Sequence, residues 1–287
     1  MTSTFNPSAL PPTLDTQVHF KVSVCTGQHL GDRVEQQDRI TVMAHPRYKG
    51  MMLAVVADGM GGRTGGAMAA QQVVASAKSV FELYTHEDST PEKLLEQIVV
   101  DAHTVIKLIA ISAEKDPHST IVVFLLMPSG QAYWIHVGDS RLYHFSGPIL
   151  NQRTVDHSYV QQLVKQGRIT EAEAANHQLS NLLTSSLGTA EMPQFSLSRL
   201  DCVQPGDSFL LCSDGLWHYF SERELGYIMA ANPPRAASEF LINTCRTRAK
   251  GTGDNVSLVI VKIEEPDPEK VAAAERAARQ ATARKLT

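Results

Sequence analysis

The chain has 287 residues, 43% of them hydrophobic and 20% charged, with a formal net charge of −4. That length admits one large domain or two small ones around a well-buried core, and the charge leaves no footprint of a general nucleic-acid or membrane surface. The start, Met1 to Pro12, lacks the basic and apolar stretches of a secretory signal, and no apolar run approaches the roughly 20 residues of a spanning helix.

Residues 1–16 read as a flexible lead-in. Val18 to Cys25 alternates and is rich in β-branched residues, which predicts a strand, and Ile40 to Ala44 predicts another. Ala67 to Tyr84 is alanine-rich with helical spacing. Pro91 opens a second helix with Leu94, Leu95, Ile98, Val99, Ala102, Val105 and Ile109 on one face, and Pro117 stops it. Strand-like runs follow over Thr120 to Met127, Ala132 to Val137 and Arg141 to Phe145. From Asp156 to Leu187 the strand pattern breaks into short helical stretches, Tyr159 to Lys165 and Thr170 to Ala175 among them. Strands resume near Phe195 and Phe209, helices are expected around Glu222 to Ala230 and Arg235 to Ala249, and a last strand over Val256 to Ile263. Beyond 263 the composition shifts to Glu-Glu-Pro-Asp-Pro and then alanine with arginine, lysine and glutamate. Such a tail forms helix readily but has almost no bulky apolar face, so residues 264–287 read as a solvated helical or disordered end rather than a basic docking arm. Strands with helix pairs suit two antiparallel sheets covered by helices, an α+β layered fold. The four cysteines, Cys25, Cys202, Cys212 and Cys245, lack the paired spacing of a zinc site. Cys25, Cys202 and Cys212 fall in strand-like runs and are expected as reduced core residues of a cytoplasmic protein.

Four apolar runs meet an aspartate beside a glycine: Val55-Val56-Ala57-Asp58-Gly59, Ile135-His136-Val137-Gly138-Asp139, Leu211-Cys212-Ser213-Asp214-Gly215, and Gly253-Asp254-Asn255-Val256. A lone Asp-Gly is first a turn signal. Here the aspartate ends three strands and begins a fourth, so an antiparallel sheet can gather all four carboxylates on one edge. Clustered carboxylates repel unless a cation neutralises them, and hard oxygen donors call for magnesium or manganese. Glycine lets a carbonyl such as that of Gly59 join the ligands. Two bridged cations are the tool of phosphate-ester hydrolysis. Arg33, between two early strands, has the fork to hold a phosphate, although on local grounds it is a surface arginine paired with Glu35 or Asp32.

These residues resemble the metal-dependent Ser/Thr protein phosphatases of the type 2C (PPM) family, specifically its bacterial members. Val-Val-Ala-Asp-Gly-Met-Gly-Gly at 55–62 is the most specific element. Val-Gly-Asp-Ser-Arg at 137–141, Cys-Ser-Asp-Gly-Leu-Trp at 212–217 and Gly-Asp-Asn-Val-Ser at 253–257 complete it, in order, within a resemblance running from about Val22 to Ile263. The resemblance implies a four-layer α-β-β-α sandwich with two central antiparallel sheets over residues 17–263, with 154–190 as a flap-like insertion beside the site. It implies that Asp58 bridges two metals, the Gly59 carbonyl binds one, and Asp214 and Asp254 complete a shell. Asp139, with Asp214, would hold a third ion, Asp38 would hold metal-bound waters from outside, and Arg33 would bind phosphate. The implied activity is hydrolysis of phosphoserine and phosphothreonine by a metal-bridged hydroxide, with Mg2+ or Mn2+, reversing a bacterial Ser/Thr kinase. Phosphorylated proteins, that kinase and its substrates are the expected partners of a monomer that engages neither nucleic acid nor membrane. The alternatives are a small-molecule phosphomonoesterase and a catalytically silent binding module of the same fold.

Three departures stand out. Met60 occupies the position of a histidine proposed as general acid in eukaryotic relatives, and a thioether has no proton to give. Gln37 stands where many relatives have glutamate. No attached kinase or membrane domain is expected. His157 belongs to the flap pattern and is as consistent with a hydrogen-bonded structural histidine as with a catalytic one. Trp217, His136 and His144 read as core or strand residues, while His118 and His177 have no assignable role.

Overall fold

Alternation along the central strands builds the layers. In the computed structural model, which describes residues 20–113, 116–174, 176–266 and 268, β3 (Met52–Ala57) turns Leu53, Val55 and Ala57 to one side and Ala54 and Val56 to the other, all buried. A strand buried on both faces needs cover on both. On the first side lie α1 (Gly62–Leu83) and α2 (Pro91–Ala113), with Val73, Ala77, Phe81, Leu95, Ile98 and Ala102 in that core. On the second lies another sheet.

One five-stranded sheet contains β10 (Ser196–Leu200), β7 (Ala132–Val137), β6 (Ile121–Leu126), β3 and β2 (Arg39–Ala44), in that order. The other contains β1 (Lys21–His29), β12 (Val256–Glu264), β11 (Asp207–Cys212), β8 (Arg141–Ser146) and β9 (Ile149–Arg153). Every neighbouring pair is antiparallel. Between the sheets, Phe124 and Phe209 meet with ring centroids 4.5 Å apart, within a core that includes Val56, Val122, Trp134, Leu211 and Val259. The outer face of the second sheet, with Leu210, Cys212, Leu258 and Ile260, is covered by α5 (Asp214–Trp217), α6 (Glu222–Ala231) and α7 (Pro234–Ala249). Three apolar cores thus separate four layers, the expected α-β-β-α sandwich.

Local chemistry sets several element ends. Ser221 and Glu224 form a reciprocal capping box at the start of α6, and Pro234 opens α7. α1 starts at Gly62, earlier than the alanine run, because the preceding two-residue strand β4 (Gly59–Met60) pairs with β5 (His118–Ser119) and brings the chain against the helix. On α2 the stripe passes from Ala102 to Ile106 rather than through Val105 and Ile109, which are only half-buried: a step of four residues keeps the face turned inward. The segment after β9 carries α3 (Tyr159–Lys165) and α4 (Glu171–Ala174) and returns to pair Leu183 with Ser158 and Leu187 with Ser119. Two expectations need correcting. Cys202 is exposed, just past β10, and Cys25 is half-exposed because β1 is an edge strand, so of the three only Cys212 is a core residue. Trp217 ends the short α5 and is half-buried. The expected lead-in over 1–16, and the tail beyond 268, lie outside the described residues. No helix among the described residues is long and apolar enough to cross a membrane.

Candidate functional site

Asp58 follows β3 and Asp139 follows β7; both strands run antiparallel to β6 between them, so both aspartates emerge at one end of their sheet. Asp214 follows β11, and Asp254 precedes β12, its antiparallel partner. The four carboxylates therefore come from the ends of two packed sheets, not from one sheet edge as expected. Sheet stacking, which strand patterns do not encode, brings them together. A cavity of about 440 Å3 opens there, walled by Asp58, Gly59, Met60, Asp139, Asp214 and Asp254, by Arg33 and its neighbours, and by Asn181 and Leu183 of the flap segment.

Backbone proximity explains part of the glycine pattern. A Cβ on Gly59 would stand 2.0 Å from the Gly66 carbonyl oxygen and 2.7 Å from that of Gln37, so no side chain fits between β4, α1 and the β1–β2 loop. Gly138 holds φ at 96°, turning the chain so that Asp139 faces the cavity. The Asp58 amide donates to Thr120 Oγ1 (3.1 Å), while its carbonyl accepts from the Thr120 amide (2.8 Å) and Ser119 Oγ (3.0 Å). Asp58 is thus fixed at its backbone.

Arg33 sits across the cavity. Its guanidinium donates to Asp254 Oδ2 at 2.5 Å rather than to Glu35 or Asp32, and that bond and charge raise the Arg33 pKa. The loop bearing it is pinned by Asn255, whose amide nitrogen donates to the Leu30 and Glu35 carbonyls (2.8 and 3.1 Å) and whose Oδ1 accepts from the Gln37 amide (2.7 Å). Asp38 lies behind the cavity wall, where Ser213 Oγ donates to its Oδ2 at 2.8 Å. Asn255 and Ser213 went unassigned in the sequence, although each is the polar neighbour of a motif aspartate. Nothing in the sequence signalled Ser119, Thr120 or Gln28, which donates to the Asp38 carbonyl and to Ser257 Oγ.

Trp217 links the aspartates. Its Nε1 donates to the Asp139 carbonyl at 2.9 Å, and its ring carries the Arg141 guanidinium 3.5 Å above the centroid. Arg141 in turn forks onto buried Asp156 at 2.8 and 2.7 Å. His157, next in the chain, accepts from the Gly138 amide, shares a hydrogen bond with Ser196 Oγ, and stacks on His136 at 4.5 Å. Burial first, then the charges of His136 and Lys165, push its pKa down to about 4. His157 is a hydrogen-bonded structural residue here and does not wall the cavity.

Burial is the first cause raising Asp58, Asp139, Asp214 and Asp38. The Asp58 carboxyl stands well above the carboxylate range, with Asp38, Asp214, Asp139 and Asp254 adding repulsion. Asp139 is raised likewise, next by Asp214, and Asp214 next by Asp254. Asp38 is pushed up to about 7 by burial against the opposing bonds from Ser257 and Ser213. Among the described residues no three His, Cys, Asp or Glu side chains form a closed metal-holding group. The donor chemistry nevertheless fits hard cations: carboxylates converge on one cavity, those of Asp58, Asp139 and Asp214 made costly to ionise by burial and by their acidic neighbours, with no nitrogen or thiolate ligand among them.

The family model for protein phosphatase 2C matches residues 27–252. A putative protein phosphatase 2C-type of Streptococcus pyogenes is 31% identical, over 77% of this chain and 89% of that protein. The solved serine/threonine phosphatase PstP/Ppp of Mycobacterium tuberculosis superposes with a TM-score of 0.75 at 26% identity, covering 85% of this chain and 99% of that one. A catalytic domain of PstP solved in complex with two manganese ions gives 0.72 at 25% identity, over 85% and 99%. The chain belongs to the protein phosphatase 2C family.

Proposed function

We propose that the chain hydrolyses phosphoserine and phosphothreonine esters of proteins, with Asp58, the Gly59 carbonyl, Asp214 and Asp254 holding a pair of divalent cations. The observation that carries this reading is the convergence of the four motif aspartates and Arg33 on one cavity. Bound magnesium or manganese supplies a nucleophilic water of lowered pKa and neutralises charge on the transferring group. Asp139, beside Asp214, is the carboxylate for a third ion, and Asp38 acts from outside by orienting bound water. Arg33 releases Asp254 and places its fork on the substrate phosphate. Met60 walls the cavity without a proton to offer, so the leaving oxygen takes its proton from water. All four cysteines are free thiols, which supports a reducing, cytoplasmic setting, opposite a Ser/Thr kinase that makes the phosphoprotein.

The test is hydrolysis of a phosphothreonine peptide and of p-nitrophenyl phosphate with manganese, with and without EDTA. Turnover of both that vanishes on chelation is expected. Full activity in EDTA, or a requirement for zinc alone, would overturn the proposal.

A further inference from the structure

Val34 is 90% exposed, although the loop that carries it is tied down on every side. Asn255 bonds to both flanks of the loop, at Leu30 and Glu35, and the Asp32 amide and carboxylate bond Gly253 at 2.9 and 2.7 Å. A single exposed apolar side chain means nothing by itself. This one is held out rigidly beside Arg33 and walls the catalytic cavity, where the other apolar side chains are Met60 and Leu183. Neither cations nor a phosphate has any use for these three groups. They face whatever else enters the cavity, which is the polypeptide on either side of the phosphorylated residue.

We infer that Val34 is a specificity-determining residue, reading an apolar side chain adjacent to the phosphoserine or phosphothreonine, with Leu183 lining the same cavity. The placement rests on the assignment of Arg33 to the substrate phosphate: a residue adjacent to the phosphate-holding arginine meets a residue adjacent to the phosphorylated one. Leu183 is set by the pairing with Ser158 and by the Tyr159 amide donating to the Leu182 carbonyl at 2.8 Å, so this wall too is built rather than loose. Substrate charge favours the same preference. Glu35 lines the same cavity and repels an acidic neighbour, and an apolar neighbour meets no such opposition.

The experiment compares kcat/KM, at saturating manganese, for phosphothreonine peptides that differ only in the residue before or after the phosphothreonine: leucine, glutamine or glutamate. At one of the two positions leucine should exceed glutamine by about three- to tenfold, the scale of a partly covered aliphatic contact. Val34→Ser should collapse that preference to within about twofold, and Val34→Ile should keep it. A uniform loss across all peptides in Val34→Ser, or no leucine preference in the wild-type chain, would overturn the inference while leaving the phosphatase reading in place. If the wild-type chain hydrolysed neither the peptides nor p-nitrophenyl phosphate, the phosphatase reading itself would fall and this inference with it.

Discussion

Arg33 and Asp58 wall the same cavity yet should fail in different ways when changed. The Arg33 guanidinium is mostly exposed and bonded to Asp254, so Arg33→Ala frees a carboxylate and, under the proposed function, removes a phosphate donor. KM for phosphopeptides should rise by about tenfold or more, the equivalent of a charge-assisted hydrogen bond of about 1.5–3 kcal/mol. Manganese affinity should hold or tighten, because Asp254 no longer answers to an internal cation. Asp58→Asn should lower turnover by several orders of magnitude without unfolding the chain. Its backbone bonds to Ser119 and Thr120 survive the change, and an amide is subject neither to the burial cost nor to the repulsion that raised its pKa, so melting in EDTA should hold or rise. Steady-state kinetics with calorimetric manganese titration on both variants decides the matter. Unchanged KM with weakened manganese binding in Arg33→Ala would move the arginine out of the phosphate site.

The flap segment owes its position to pairings that no periodicity announces. Leu187 pairs with Ser119 of β5, the Gly188 amide donates to His103 Nδ1 of α2 at 3.2 Å, and the Thr184 amide donates to the His157 carbonyl. His157 is the hinge of this arrangement, since its Nδ1 must stay unprotonated to accept from Gly138. Its folded pKa near 4 lies below the ordinary imidazole value, so between about 4 and 6.5 the unfolded chain binds the extra proton. The stability contributed by His157 is therefore fully present above about pH 6.5 and is lost as pH falls towards 4. His157→Gln can keep one acceptor and one donor without titrating. The difference in unfolding free energy between wild type and this variant, followed by denaturant titration, should shrink or reverse from pH 7 to pH 5. A difference that does not change with pH would mean that His157 is not held neutral by its surroundings.

At the scale of the whole molecule, the sequence disclosed strands and motifs better than layers. β3, β7, β11 and β12 were legible because each is a buried apolar run ending or starting at an aspartate. β9 was not, since Ile149-Leu150-Asn151-Gln152-Arg153 is a half-exposed edge with little apolar pattern, and α5 was hidden because Asp214-Gly215-Leu216-Trp217 reads as a turn. The four-layer order came from family resemblance; alternation alone could place the aspartates on one sheet as readily as on two. The stacked arrangement has a thermodynamic consequence, because it drives like charges from separate sheets together at one end. Asp38, raised to about 7 against about 3.9 for a free aspartate, holds its proton in the fold while the unfolded chain loses it, and Asp58 and Asp139 are raised in the same direction. The contribution of Asp38 to stability in the absence of cations is therefore greatest at low pH and falls as pH rises through about 4 to 7, and those of Asp58 and Asp139 have the same sign. His45, His103, His136 and His157 are lowered by burial and pull the other way, so a melting curve in EDTA alone mixes both signs. Manganese separates them, because it competes with protons for the carboxylates and not for these histidines, which stand outside the cavity wall. The rise in melting temperature on adding a fixed excess of manganese over EDTA should grow steadily from pH 5 to pH 7.5. Asp38→Asn should flatten that growth, since its amide gives up no proton in this range. A manganese-induced shift equal at pH 5 and pH 7.5 would mean that these carboxylates do not titrate against the cation, and the assignment of this end of the sandwich as the metal centre would fail.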